Sequence, residues 1–168
     1  MSESVVDALR GLPPALVVFV AAMLPVSELR GAIPAGLLIY DLPVGVVLAL
    51  ALVGNFLPVP FIVYALEPVS DWMRARSRLA ERFFTWLFER TRRKHTKRFE
   101  RFEELALVSF VAIPLPLTGA WTGALAGFLF GVPQRRSMPL IAVGILIAAT
   151  IVTTLVLTGA MVFGQTQP

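Results

Sequence analysis

The chain has 168 residues, of which 57% are apolar and 15% charged, with a net charge of +4 and a mean hydropathy of +0.77. That composition excludes a soluble globular domain of this length and describes an integral membrane protein. With no cysteine there are no disulfides, thiolate nucleophiles or cysteine metal sites, and the one histidine, His95, has no companions with which to hold a metal.

In chain order, residues 1–11 carry Glu3 and Asp7 against Arg10, the wrong charge for the n-region of a signal peptide, and are expected to be a retained interfacial segment. Residues 12–43 form an apolar tract with a Pro/Gly-rich centre, Pro25 to Pro34, which leaves two halves too short to span a bilayer. Each proline lacks a backbone donor and restricts the residue before it, so a helix along Leu12 to Leu24 should break and restart near Gly31, making a re-entrant hairpin. Residues 44–67 are long enough for a transmembrane helix, bent or loosened by Asn55, Pro58 and Pro60.

Residues 68–104 turn basic, holding eleven of the fifteen Lys and Arg, yet keep an apolar stripe through Trp72, Leu79, Phe83 and Trp86. Such a segment reads as an amphipathic helix in the headgroup region, with Arg90, Arg92, Arg93, Lys94 and Lys97 contacting anionic lipid. Membrane tethering argues against nucleic acid as its partner. Residues 105–133 repeat the first pattern, with a break at Pro114 to Gly119, and residues 138–163 form a second transmembrane helix.

Arg135 and Arg136 follow the second broken tract and are also expected to meet anionic lipid. If that tract is re-entrant, both return to the face of the basic segment, and the positive-inside rule is met by thirteen of the fifteen bases. The basic segment is then cytoplasmic and both termini lie outside. At an offset of 90, Gly36 to Pro43 lies over Ala126 to Pro133, and Leu50 to Gly54 over Leu140 to Gly144. One crossing helix separates the copies, so they are expected to be inverted, their broken tips meeting near the midplane. The expected fold is a single all-α membrane domain over 1–168: two inverted repeats, each a broken re-entrant helical hairpin followed by a transmembrane helix, joined by the basic segment.

Glu28 and Arg30 lie inside the first break. A charged side chain at mid-membrane costs roughly 2.5 to 3.5 kcal/mol, so this pair should face protein, water or substrate. An acid there suits a proton carrier; the alternative is a fixed ion pair that holds the loop. The candidate transport site takes Pro25, Ser27, Glu28, Arg30 and Pro34 from the first break and Pro114, Pro116, Thr118, Trp121 and Thr122 from the second. Thr118, Trp121 and Thr122 either contact substrate or cap a half-helix, and Asn55 is expected to hydrogen-bond a loop carbonyl. No nucleophile elbow, metalloprotease pair, Walker loop or dinucleotide fingerprint is present, so neither an enzyme nor a cofactor is expected, and transport is gradient-driven or passive.

The phrase Leu24-Pro25-Val26-Ser27-Glu28-Leu29-Arg30-Gly31-Ala32-Ile33-Pro34, with Gly36, resembles the first broken loop of the small multidrug export family, prokaryotic relatives of the DedA and VTT-domain membrane proteins. The second loop, Phe110 to Gly127, carries the resemblance further. It implies opposed re-entrant hairpins in a prokaryotic plasma membrane, proton-coupled transport of a small molecule or flipping of a lipid such as polyprenyl phosphate, and Glu28 in the place of the first-loop acid. DedA proteins proper tend to have arginine in the second loop, where this chain has Pro116, Thr118 and Trp121. Two hairpins and two spans make a thin wall, so a homodimer is expected. A four-helix drug exporter working as a dimer and a non-transporting scaffold are the alternatives.

Overall fold

A computed structural model describes residues 12–92, 97–114 and 118–164, and the side chains of 12–86, 102–114 and 118–162. Among the described residues the chain is all helix, with no strand: α1 Pro14–Met23, α2 Glu28–Pro34, a π-helical turn Ala35–Ile39, α3 Val44–Phe56, α4 Pro58–Arg76, α5 Arg78–Arg92, α6 Lys97–Ala112, α7 Ala120–Phe130 and α8 Gln134–Gly164. A chain this apolar can satisfy its backbone in lipid only within helices or a closed barrel. Val44–Arg76, which is α3 and α4 taken together, and Gln134–Val162 are long and apolar enough to cross a membrane, whereas α1 and α7, at 10 and 11 residues, are too short.

Proline sets most of the boundaries. Pro14 and Pro58 open helices, where a missing N–H costs nothing, and Pro43 and Pro133 sit just ahead of α3 and α8. Pro34 ends α2 and hands the chain to the π-helical turn, in which Tyr40 N–H donates to Ala35 O at 3.1 Å; Asp41, at φ 50°, closes it. Gly131, at φ 73°, closes α7, and Val132 N–H reaches back to Gly127 O at 2.9 Å.

The chain divides into two compact units, Met1–Leu57 with Leu146–Pro168, and Pro58–Ile145. In the first, α1 packs on α2 and on α3. The chain folds back on itself there, with Gly36 seated against Val18 and Val47. Gly54 lies so close to α1 that a Cβ would stand 2.6 Å from Phe19 O and 3.0 Å from Ala22 Cβ.

In the second unit α4 packs on α5 and α7, and α6 packs on α7. Gly127 sits against Leu107 and Ser137, and Gly123 against Val111 and Ile141, so α6, α7 and the start of α8 run side by side with α7 reversed. A Cβ on Gly144 would stand 2.6 Å from Val111 Cβ and 3.1 Å from Val108 O. Gly54 over Phe19 and Ala22 and Gly144 over Val108 and Val111 are the same contact, displaced by 89 or 90 residues.

Two boundaries differ from the sequence expectation. The helix after the first break restarts at Glu28, three residues before Gly31, because Glu28 itself takes a left-handed backbone, φ 48°, and turns the chain in one step. The helix expected to end at residue 67 continues through Pro68 to Arg76: the residues around Pro68 keep their helical path, with Ser70 Oγ donating to Glu67 O at 2.8 Å.

Candidate functional site

α1 ends at Met23, and the apolar tip that follows is open, Leu24 being 51% and Val26 97% exposed. Glu28 N–H then donates to Leu24 O at 2.9 Å and Gly31 N–H to Ser27 O at 2.9 Å, so the tip is a closed turn rather than a loose loop. Ser27 places its hydroxyl where a Cβ on Gly31 would stand. Leu29, Ala32 and Ile33 are buried and anchor α2, which fixes the direction in which the polar residues between them leave the helix.

Glu28 is only 5% exposed. Its Oε2 lies 3.7 Å from Arg30 Nη1, and the two side chains are 7% and 20% exposed. That separation is an ion pair but exceeds the roughly 2.7 to 2.9 Å of a charge-assisted hydrogen bond. The left-handed backbone at Glu28 costs about 1 to 2 kcal/mol for a residue with a side chain. Strain, burial and charge fall together on this one residue.

Of the other residues expected at the site, Pro25 and Pro34 bracket this turn on either side, as the break required. Asn55 belongs to the same unit, next to the Gly54 contact with the end of α1, and is 1% exposed. Neither its Oδ1 nor its Nδ2 has a hydrogen-bond partner among the described residues, so the expected bond to a loop carbonyl is not formed.

The second break makes its own local arrangement. Thr118 Oγ1 donates to Ile113 O at 2.9 Å, tying the two ends of the break beside a half-buried Pro114. Gly119 N–H donates to Thr122 Oγ1 at 2.9 Å, so Thr122 caps α7, and Trp121 is half-buried beside it. Pro116, Arg93 and Lys94 lie outside the described residues, as do the side chains of Arg90, Arg92 and Lys97. Arg135 is exposed, and Arg136 Nη1 meets Glu104 Oε1 at 3.3 Å.

Sequence reasoning missed two residues. Thr153, in α8, is 8% exposed, and its Oγ1 has no hydrogen-bond partner among the described residues. Its neighbours Thr150 and Thr154 bond back to Leu146 O and Thr150 O at 2.9 and 2.8 Å and are exposed. No sequence signal separates Thr153 from the adjacent Thr154, because packing decides which of the two turns inward. Glu104 was the other, an acid at the edge of the basic segment.

No curated protein and no solved structure matches this chain. Residues 28–151, about three quarters of the sequence, match the model of a family described as "Putative small multi-drug export protein", and the match begins at Glu28 itself. With its two apolar spans, its buried ion pair and that match, the chain is a membrane protein belonging to the small multi-drug export protein family.

Proposed function

We propose that the protein is a gradient-driven exporter in which Glu28 binds a proton and substrate in turn, with Arg30 as the internal counter-ion that occupies the carboxylate in between. The observation that carries this reading is the Glu28 to Arg30 pair, 3.7 Å apart and largely buried, at a strained break between two half-length helices. A purely structural pair would be favoured in a tight, bidentate geometry with relaxed backbone. The family match favours a small molecule as cargo. A lipid such as polyprenyl phosphate, as in DedA-type relatives, is the second substrate class, favoured by the open apolar tip at Leu24 and Val26. No covalent step is part of this mechanism.

In the proposed topology each broken tract is a hairpin that enters and leaves by one face, followed by a span, so that the unit is made twice. The recurrence of the Gly54 contact at Gly144 supports the repeat, and the Arg136 to Glu104 pair supports a second hairpin that returns to the side of the basic segment. The basic segment then faces the cytoplasm, and two copies of the chain complete the wall around the pathway. Purified protein in liposomes with an imposed pH gradient tests the reading: wild type should move a cationic dye or a fluorescent polyprenyl phosphate, and Glu28→Gln should not. Equal transport by the Gln variant with unchanged pH dependence would overturn it.

A further inference from the structure

Where α4 meets α5, at the C-terminal end of the span Val44–Arg76, the chain forms a groove of about 670 Å³. Trp72, Met73 and Arg76 line it from α4, and Leu79, Phe83 and Phe84 from α5. Its floor is fixed, since Phe84 stacks edge-on against Phe83, ring centres 5.3 Å apart, and meets Phe128 of α7 at 6.3 Å. Its rim is open: Trp72 is 62% and Leu79 79% exposed. The volume suits a drug-sized molecule or a length of acyl chain.

Charge selects between occupants. Arg76 holds its guanidinium 5.7 Å from the centre of the Trp72 ring, at the mouth of the groove. Arg78 and Arg82 follow on α5, while of the nearby acids Asp71 is paired with Arg74 at 3.3 Å, leaving Glu81 against three arginines. An apolar trough with a cationic mouth, at the end of a membrane span, matches an amphiphile with an anionic head. The compound of that description always present at this depth is an anionic phospholipid.

We propose that the α4–α5 groove is a binding site for one anionic phospholipid, an acyl chain lying between Trp72 and Phe83 and the headgroup phosphate on Arg76. This differs from diffuse attraction of a basic surface, because it is saturable and set by the shape of the trough. It stands apart from the export reading, since lipid retention here requires nothing of Glu28.

The test is native mass spectrometry of the full chain released from detergent after exposure to phosphatidylglycerol or phosphatidylcholine with matched acyl chains. Wild type should retain one phosphatidylglycerol at least tenfold in preference to phosphatidylcholine. Ala80 also lines the groove from α5, so Ala80→Trp fills the trough and should reduce retention of both lipids about tenfold. Arg76→Gln should lower phosphatidylglycerol retention about tenfold and phosphatidylcholine retention, whose phosphate is already offset by choline, far less, so that the preference is lost, and Arg135→Gln should change neither. If Ala80→Trp loses its helical circular dichroism or monodispersity, Arg76→Gln and Arg135→Gln decide the matter alone. Retention unaffected by a folded Ala80→Trp, a preference that survives Arg76→Gln, or equal loss with Arg135→Gln would each overturn the site.

Discussion

Arg136 and Glu104 stand 32 positions apart in sequence and meet at 3.3 Å, so the first turn of α8 lies level with the part of α6 that emerges from the basic segment. With side chains 56% and 31% exposed, the pair contributes little stability, in the range of about 0 to 1 kcal/mol. Its value is positional. A helix that crossed the membrane between these residues would hold them a bilayer apart.

Topology can therefore be read with single cysteines on this cysteine-free background. Arg135→Cys and Lys94→Cys should both be silent to an impermeant maleimide applied to intact cells and should both react after lysis. Labelling of the first but not the second from outside would exclude a re-entrant second hairpin.

At Glu28 and Arg30 the two partners should fail differently. Glu28→Gln keeps shape and hydrogen bonding and should leave the thermal unfolding midpoint in detergent nearly unchanged while abolishing pH-driven transport. Arg30→Ala strips the counter-ion from a buried carboxylate, a loss of about 3 to 5 kcal/mol for a fully buried pair and less here, where Arg30 is 20% exposed. Adding Glu28→Gln to Arg30→Ala should restore much of that stability. A double variant no more stable than Arg30→Ala would show that the pair is not coupled.

The glycine contacts give a sharper structural test. Gly54→Ala and Gly144→Ala drive a methyl group into Phe19 O and into Val111 and should each destabilise by about 1 to 3 kcal/mol. Gly159, also in α8, has nothing within 4 Å of its Cβ position, so Gly159→Ala should gain about 0.5 to 1 kcal/mol from helix propensity. Equal midpoints for all three variants would contradict the close approach of the helices.

Thr122 supplies the cap of α7, so Thr122→Val should cost about 0.5 to 2 kcal/mol and Thr122→Ser should keep most of it. If transport falls with Thr122→Ser while stability holds, the residue does more than cap.

Much of this was legible because prolines and charges act locally. Pro25 and Pro34 announced the first break, Pro114 the second, and two apolar lengths announced the spans, since each follows from the chemistry of a few adjacent residues. The boundary expected at residue 67 rests on the change to basic composition, which does not end a helix: the chain stays helical through Pro68 to Arg76, packing on α5 and α7 offsetting the hydrogen bond that proline removes. The left-handed backbone of Glu28 carries no sequence signal, glutamate being a poor residue for it. Thr153 and Asn55 were visible as polar residues, but which face of a helix turns inward is decided by packing partners far away in sequence.

Glu28 combines a buried charge with a backbone angle that glycine would adopt freely, and both features tax the fold. Glu28→Gly with Arg30→Leu would remove two charges from the interior and relax the turn at once, so a population selected for heat resistance alone would discard this acid among its first changes. Under the proposed mechanism, a thermostabilised form chosen without an activity screen would be a well-behaved protein that no longer exports.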